Sequence, residues 1–295
     1  MRKTAVFGPG GNSESFYNAG YKSTAQAPEF LAKLGLGAYE FEAGNGLRAT
    51  VATLQKIGEE AKLHGIEMSL HTPYFISLSG VEEEKRLKSI TYIKDSLAAA
   101  EHLGADTIVI HTGSAAKITR REAMELAKDT LCRTLEAVGD TPIHLGLETM
   151  GKINQLGTLE EVIELCAMDK HLYPVVDFGH MNAREQGGLF PDTDSYRRVF
   201  HQIAEALGDE KARYMHCHFS KIEYTGAGEK KHLTFEDGVY GPVFEPLAEA
   251  LVRDDLCPRI ICESAGTMSE DALYMQNAYL VAKGVPFGAE QKRTE

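Results

Sequence analysis

At 295 residues the chain is long enough for one large barrel or two small domains, and 43% hydrophobic with 25% charged residues supplies a sizeable core under an ordinary soluble surface. A net charge of −12 argues against wholesale coating of nucleic acid and leaves a local basic rim as the only footprint for it. No apolar run nears the about 20 residues of a membrane helix, and the one after the initial MRKT is too short for a signal peptide, so a cytoplasmic protein without membrane contact is expected. Cys132, Cys166, Cys217, Cys257 and Cys262 are odd in number and form no C-x-x-C pair, which points to reduced thiols and away from a disulfide frame or a cysteine zinc site.

Along the chain, short β-rich runs alternate with longer segments of helical periodicity. The runs are TAVFG (4–8), AYEFE (38–42), IEMSLH (66–71), DTIVIH (106–111), PIHLGLE (142–148), YPVVD (173–177), RYMHCHF (213–219) and PRIICE (258–263). The clearest helix is 82–104, where Leu87, Ile90, Ile93, Leu97 and Ala100 recur at three and four and Gly104 closes the pattern; 118–139 reads the same way. Eight strand–helix units in this length imply a parallel sheet closed into a single (β/α)8 barrel over residues 1–295, with an open doubly wound sheet as the alternative. The glycine-rich GPGGNS (8–13) lacks the Lys-Ser/Thr ending of a phosphate loop and reads as a flexible first loop.

The strand ends carry the chemistry. His71, His111, Glu148, Asp177 and Glu263 close their strands, and His216 lies near the end of the seventh. In a parallel barrel these ends meet at one mouth, where barrel enzymes keep their sites. Singly, each has an ordinary explanation: a hydrogen-bonded core histidine, or a carboxylate capping the next helix. Together they are hard to bury without a cation, because unpaired interior charges cost several kcal/mol each. Imidazoles and carboxylates without thiolates suit Zn²⁺, with Mn²⁺ next, better than Mg²⁺. His180 and His232 lie in loops on the same rim. His218, two residues after His216 on one strand face, is either a ligand or a donor to one.

These residues resemble the endonuclease IV family of abasic-site DNA nucleases, between about Ala38 and Gly266. LHTPYFISL (70–78) is similar to the family's histidine–tyrosine segment, IHTGS (110–114) to its His-Pro-Gly-Ser turn with Thr112 in place of proline, and LETMG (147–151) to its Glu-Asn-Thr strand end. VDFGH (176–180), MHCHFSK (215–221), HLTFEDGVYG (232–241) and ICES (261–264) resemble the remaining ligand segments. The resemblance implies a (β/α)8 fold with two or three zinc ions. One would sit on His71, His111 and Glu148, a second on Glu148, Asp177, His216 and Glu263, and a third on His180 and His232. The family's third-site aspartate falls two before the histidine, where this chain has Lys230, so that site is weaker, completed by another group, or absent. The arginine-rich loop after the second strand is reduced to Arg48.

Two functions follow as expectations. The first is a metal-dependent hydrolase of DNA repair that cleaves DNA 5′ to abasic sites. In it Glu148 bridges two ions and orients water, Tyr74 stacks or wedges at the extruded sugar, and Lys230 contacts the phosphate if it stands in for the third cation. The second is a sugar isomerase or epimerase of the xylose-isomerase-like barrels, which needs one ion on Glu148, Asp177, His216 and Glu263. A non-catalytic binding module is a third class. A monomer is expected, with DNA or a small sugar as its partner.

Overall fold

The computed structural model describes residues 2–286. Eight parallel strands form one sheet: β1 (Val6–Pro9), β2 (Ala38–Glu42), β3 (Glu67–His71), β4 (Thr107–His111), β5 (His144–Glu148), β6 (Leu172–Asp177), β7 (His216–Phe219) and, after a hairpin of β8 (Ile222–Thr225) and β9 (Gly228–His232), β10 (Arg259–Cys262). The order is β1-β10-β7-β6-β5-β4-β3-β2, with helices between strands. β1 and β2 close the ring through a parallel bridge at Gly10 and Glu40. The fold is therefore a (β/α)8 barrel. Its strands are apolar on both faces, as a sheet wrapped by helices and filled inside requires; Ile108, Val109 and Ile110 are all inaccessible.

The two helices read most clearly from sequence run Glu83–Leu103 and Arg120–Val138. Gly104 ends the first in the left-handed conformation at φ 67°, and Thr119 with Glu122 forms a capping box on the second. Among the described residues, no helix is long and apolar enough to cross a membrane.

One strand differs from expectation in a way that matters for the site. A short helix, Asp209–Arg213, takes up the start of the seventh run, so β7 begins at His216 and not three residues earlier. His216 pairs in register with Val175 and Arg259, whereas His218 pairs with Asp177. Both histidines share one face of β7, but His216 lies two residues, or about 7 Å, deeper in the barrel.

The β1–β2 seam depends on Gly8. A Cβ there would sit 1.8 Å from the Ala38 carbonyl oxygen, so only glycine lets the two backbones approach. Gly8→Ala should destabilise the barrel by about 1–3 kcal/mol or more, because backbone must move to relieve the clash. A denaturant midpoint equal to wild type would show that the seam tolerates a side chain.

Candidate metal centre

Strand register assembles the centre. His111 and Glu148 are paired neighbours on β4 and β5, Glu42 and His71 on β2 and β3, and Asp177 and His218 on β6 and β7. Among the described residues, five groups of side chains have ligand atoms within 4.8 Å of one another: His71, His111 and Glu148; Glu148, Asp177, His218 and Glu263; His180, Glu229 and His232; and two that include Glu40, one with His216 and His218 and one with Glu42 and Glu263. Glu148 is fully buried and belongs to the first two groups. Its Oε2 lies 3.2 Å from His111 Nε2 and 3.6 Å from His71 Nε2, and its Oε1 lies 3.0 Å from His218 Nδ1.

Asp177 serves two purposes. Its Oδ1 accepts the backbone N–H of His180 at 2.6 Å and caps the helix Phe178–Arg184. Its Oδ2 is buried without a hydrogen-bond partner, as is Glu148 Oε2. Two orphaned carboxylate oxygens among imidazole nitrogens are what a cation would satisfy, and the donor set of nitrogen and oxygen fits a zinc-like ion. The imidazoles are oriented for it. His71 Nδ1 donates to the Thr72 carbonyl at 2.9 Å, and His180 Nδ1 to the Thr149 carbonyl at 3.0 Å, leaving both Nε2 atoms facing inward.

Electrostatics agree with the geometry. Burial alone would raise the Glu148 carboxyl, but the imidazoles of His111, His180, His218 and His71 gathered around it outweigh that and hold it well below the usual carboxylate range. Glu263 is pushed well above that range by burial and by Glu148, Asp177 and Glu42, despite His218. For His71, burial works downward, yet its hydrogen bond to Glu148 and the charges of Glu42, Glu148 and Glu40 raise it to about 10. Burial also lowers His180 and His218, but surrounding carboxylates overcome it and raise both well above 6.5. In the polypeptide alone these three histidines hold the positive charge that the carboxylates demand.

Two expected site residues lie elsewhere. His216 is not in the group with Asp177 and Glu263; it sits in the layer beneath, with Nε2 2.9 Å from Glu40 and Nδ1 accepting from Arg259 Nε at 2.9 Å. His218 takes the place expected for His216, because it is His218 that pairs with Asp177 at the end of β6, while His216 pairs with Val175 one layer down. Lys230 is exposed and ion-paired with Glu223, away from the centre, so it neither breaks a third group nor faces a substrate phosphate there. The register explains this. β8 and β9 pair Glu223 with Lys231 but Tyr224 with Glu229, so Lys230 is the extra residue of a β-bulge. The bulge turns Glu229, not Lys230, to the side of His232. Its Oε2 lies 3.5 Å from His180 Nε2 and its Oε1 4.0 Å from His232 Nε2.

Glu40 and Glu229 were missed in the sequence. A signal for Glu40 was present: AYEFE places Glu40 and Glu42 on one face of a strand otherwise buried. No sequence pattern announces a bulge, so Glu229 had none.

Tyr74 stands at the mouth, half exposed, its ring stacked on His111 at 5.3 Å with 21° between planes. It lines two recesses, one of about 440 Å³ over the clusters and one of about 500 Å³ toward Asn45 and Arg48.

A sequence profile described as the xylose isomerase-like TIM barrel matches residues 28–279. The chain belongs to that family. Within and around this barrel family, the chain is 30% identical over 256 residues to an uncharacterized protein of Methanocaldococcus jannaschii, covering 86% of this chain and 91% of that one. It is 26% identical over 231 residues to a protein named probable endonuclease 4 from Acholeplasma laidlawii, covering 75% and 76%. Two solved structures share the fold at 20% identity and 95% coverage of this chain. They are endonuclease IV from Thermus thermophilus, TM-score 0.66 over 99% of its length, and a D-tagatose 3-epimerase-like protein, TM-score 0.68 over 98%. The barrel family thus places nucleases and epimerases beside this chain.

Two outcomes are expected from this geometry. Glu229→Gln should lower zinc content by up to one ion per chain, while Lys230→Asp leaves it unchanged; elemental analysis after dialysis checks both, and the reverse pattern would remove Glu229 from the centre. Zinc binding should also release protons at neutral pH and weaken as pH falls, because a bound ion must displace the protons held by His71, His180 and His218. Calorimetry in buffers of different ionisation enthalpy measures that release.

Proposed function

We propose that the protein is a metal-dependent phosphodiesterase of the endonuclease IV kind, acting on DNA at abasic sites. The observation that carries this reading is the third group, His180, Glu229 and His232, beside two groups that share Glu148. A one-metal isomerase needs none of its three side chains, nor His71 and His111. The likeness to probable endonuclease 4 of Acholeplasma laidlawii supports it. When bound, ions at these groups would supply positive charge to phosphate oxygens and activate a water.

The chain's own residues divide the remaining work. Glu148, with Oε2 toward His71 and His111 and Oε1 toward His218, would contribute to both of the first two groups, and its carboxylate would accept a hydrogen bond from a water brought to them. Tyr74 offers a flat face at the rim, suited to stack beside a sugar that lacks its base. Lys152 and Arg48 line the two recesses and supply cations for the backbone on either side of Tyr74. In the reaction the water oxygen bonds to phosphorus and the phosphorus–oxygen bond on the 5′ side of the abasic sugar breaks.

A second reading is a sugar epimerase. Glu148, Asp177, His218 and Glu263 form a three-acid, one-histidine set sufficient for one ion, and the fold likeness to the D-tagatose 3-epimerase-like protein is of equal strength. The acidic net charge also favours it.

The test is a zinc-loaded preparation incubated with a duplex carrying one abasic site and, separately, with ketohexoses. Strand cleavage at the abasic site, two or more zinc ions per chain, and loss of more than about 100-fold in Glu148→Ala are expected, since losing even an outer partner of a ligand costs 10–100-fold. One ion per chain with epimerisation of a ketose and no cleavage would establish the second reading instead.

A further inference from the structure

Tyr74 is half exposed at the mouth, yet its position is closely defined. The backbone around it is tied down: Thr72 N–H donates to the Val109 carbonyl at 3.0 Å, Tyr74 N–H to the Gly44 carbonyl at 3.0 Å, and Ile76 N–H to the Pro73 carbonyl at 3.1 Å. Phe75 packs edge-on against Tyr92 with ring centroids 4.6 Å apart. Only the side-chain torsions of Tyr74 are left to vary. The ring uses them to stack on His111 and to meet His71 edge-on, at 5.1 Å and 66°.

One edge of the ring rests against a glycine. The loop after β2 runs Ala43, Gly44, Asn45, Gly46. A Cβ on Gly44 would lie 2.2, 2.5 and 2.8 Å from Tyr74 Cε2, Cζ and Cδ2, whereas unbonded carbons pack at about 3.5–4.0 Å. The ring edge thus takes the volume that a methyl group would need. The two glycines of the loop differ. Gly46 has φ 98°, in the left-handed region that side chains rarely adopt, and a Cβ there would meet Phe75 at an ordinary 3.7 Å. Gly44 is not in that region, and the three atoms nearest its missing Cβ all belong to Tyr74. At position 44 the obstacle to alanine is the ring and not φ.

The wall between the two recesses depends on this contact. Tyr74, His232 and Glu263 line both the recess of about 440 Å³ over the clusters and the one of about 500 Å³ toward Arg48. His232 and Glu263 belong to the candidate ion groups. Tyr74 belongs to none, and is placed by what its ring can lean on.

We propose that Gly44 is a positioning residue for Tyr74: its missing side chain is the slot that holds the ring across His71 and His111, and so sets the partition between the recesses and the face offered to substrate. The contact is independent of any ion. Its effect on substrate rests on the phosphodiesterase reading above. A side chain at 44 would turn the ring off His111 toward solvent, open one recess into the other, and withdraw the flat face from the rim.

The test uses the full chain with carbon-13 in its tyrosine rings, the Tyr74 signals being assigned by their loss in Tyr74→Ala. Gly44→Ala should shift those signals; unmoved Tyr74 signals would overturn the proposal. Gly44→Ala should also lower the denaturant midpoint of the wild type and not that of Tyr74→Ala, where no ring is left to displace. An equal loss in both backgrounds would show that the added methyl meets something other than Tyr74. Should Gly44→Ala not fold, folding restored by Tyr74→Ala supports the slot, and failure of the double variant overturns it. On a duplex with one abasic site, Gly44→Ala should raise KM about 10-fold or more, the scale of one lost stacking face, and add nothing to Tyr74→Ala. A shifted ring with wild-type KM would overturn the link to substrate. A wild type that cleaves no such duplex would overturn the phosphodiesterase reading alone, and the ring spectra and midpoints would still decide the slot.

Discussion

Glu148 is an ionised carboxylate in the dry interior of a barrel, and the mouth is organised around keeping it so. An isolated buried carboxylate would protonate. Here four histidines, three on strands and one on the helix after β6, approach it, and together they overcome the desolvation cost. Three of these imidazoles, His71, His180 and His218, are drawn upward in proton affinity by Glu40, Glu42, Asp177, Glu229 and Glu263, while burial holds His111 below its usual value, so charge and countercharge are balanced across the whole mouth and not pair by pair. Removing one member from such a set leaves its neighbours wrongly charged, which is why the ligands behave as a unit.

The barrel and most of the mouth were legible in the sequence because both rest on short-range regularities. Apolar runs alternating with helical periodicity mark the strands, and a titratable residue at the end of such a run points to the mouth in a parallel barrel. His71, His111, Glu148, Asp177 and Glu263 come together for that reason. The misplacements share another cause. Whether His216 or His218 reaches the mouth depends on the register of β7 against β6, and a two-residue shift in register is a full layer of the barrel. Whether Glu229 or Lys230 faces inward depends on one extra residue in a hairpin, and a single-residue slip inverts every side chain after it. Glu40 was hidden differently. It is in the middle of β2 and faces His216 and His218 beneath the mouth.

The likeness to nucleases and epimerases alike follows from the same layering. Glu148, Asp177, His218 and Glu263 are fixed by the strands themselves, which every closed barrel of this kind must keep in register. The groups that would separate a phosphodiesterase from a sugar enzyme, His180, Glu229, His232 and the rim around Tyr74, come from the segments that connect the barrel strands. Loops exchange without disturbing the barrel, so overall fold similarity to both kinds of enzyme is about equal.

The hairpin of β8 and β9 has its own consequence. It is not a barrel stave; it is pinned to the loop after β5 by backbone bonds, Glu229 N–H to the Gly151 carbonyl at 3.0 Å and Ile153 N–H to the Ala227 carbonyl at 3.1 Å. The third group is therefore split between two cooperative units. His180 comes from the barrel side, on the helix after β6, while Glu229 and His232 ride on the hairpin. Amide exchange in this hairpin would then report on the third ion alone. Whatever ion that group takes would staple the hairpin to the barrel, and its loss would leave the hairpin held by the chain's own bonds alone.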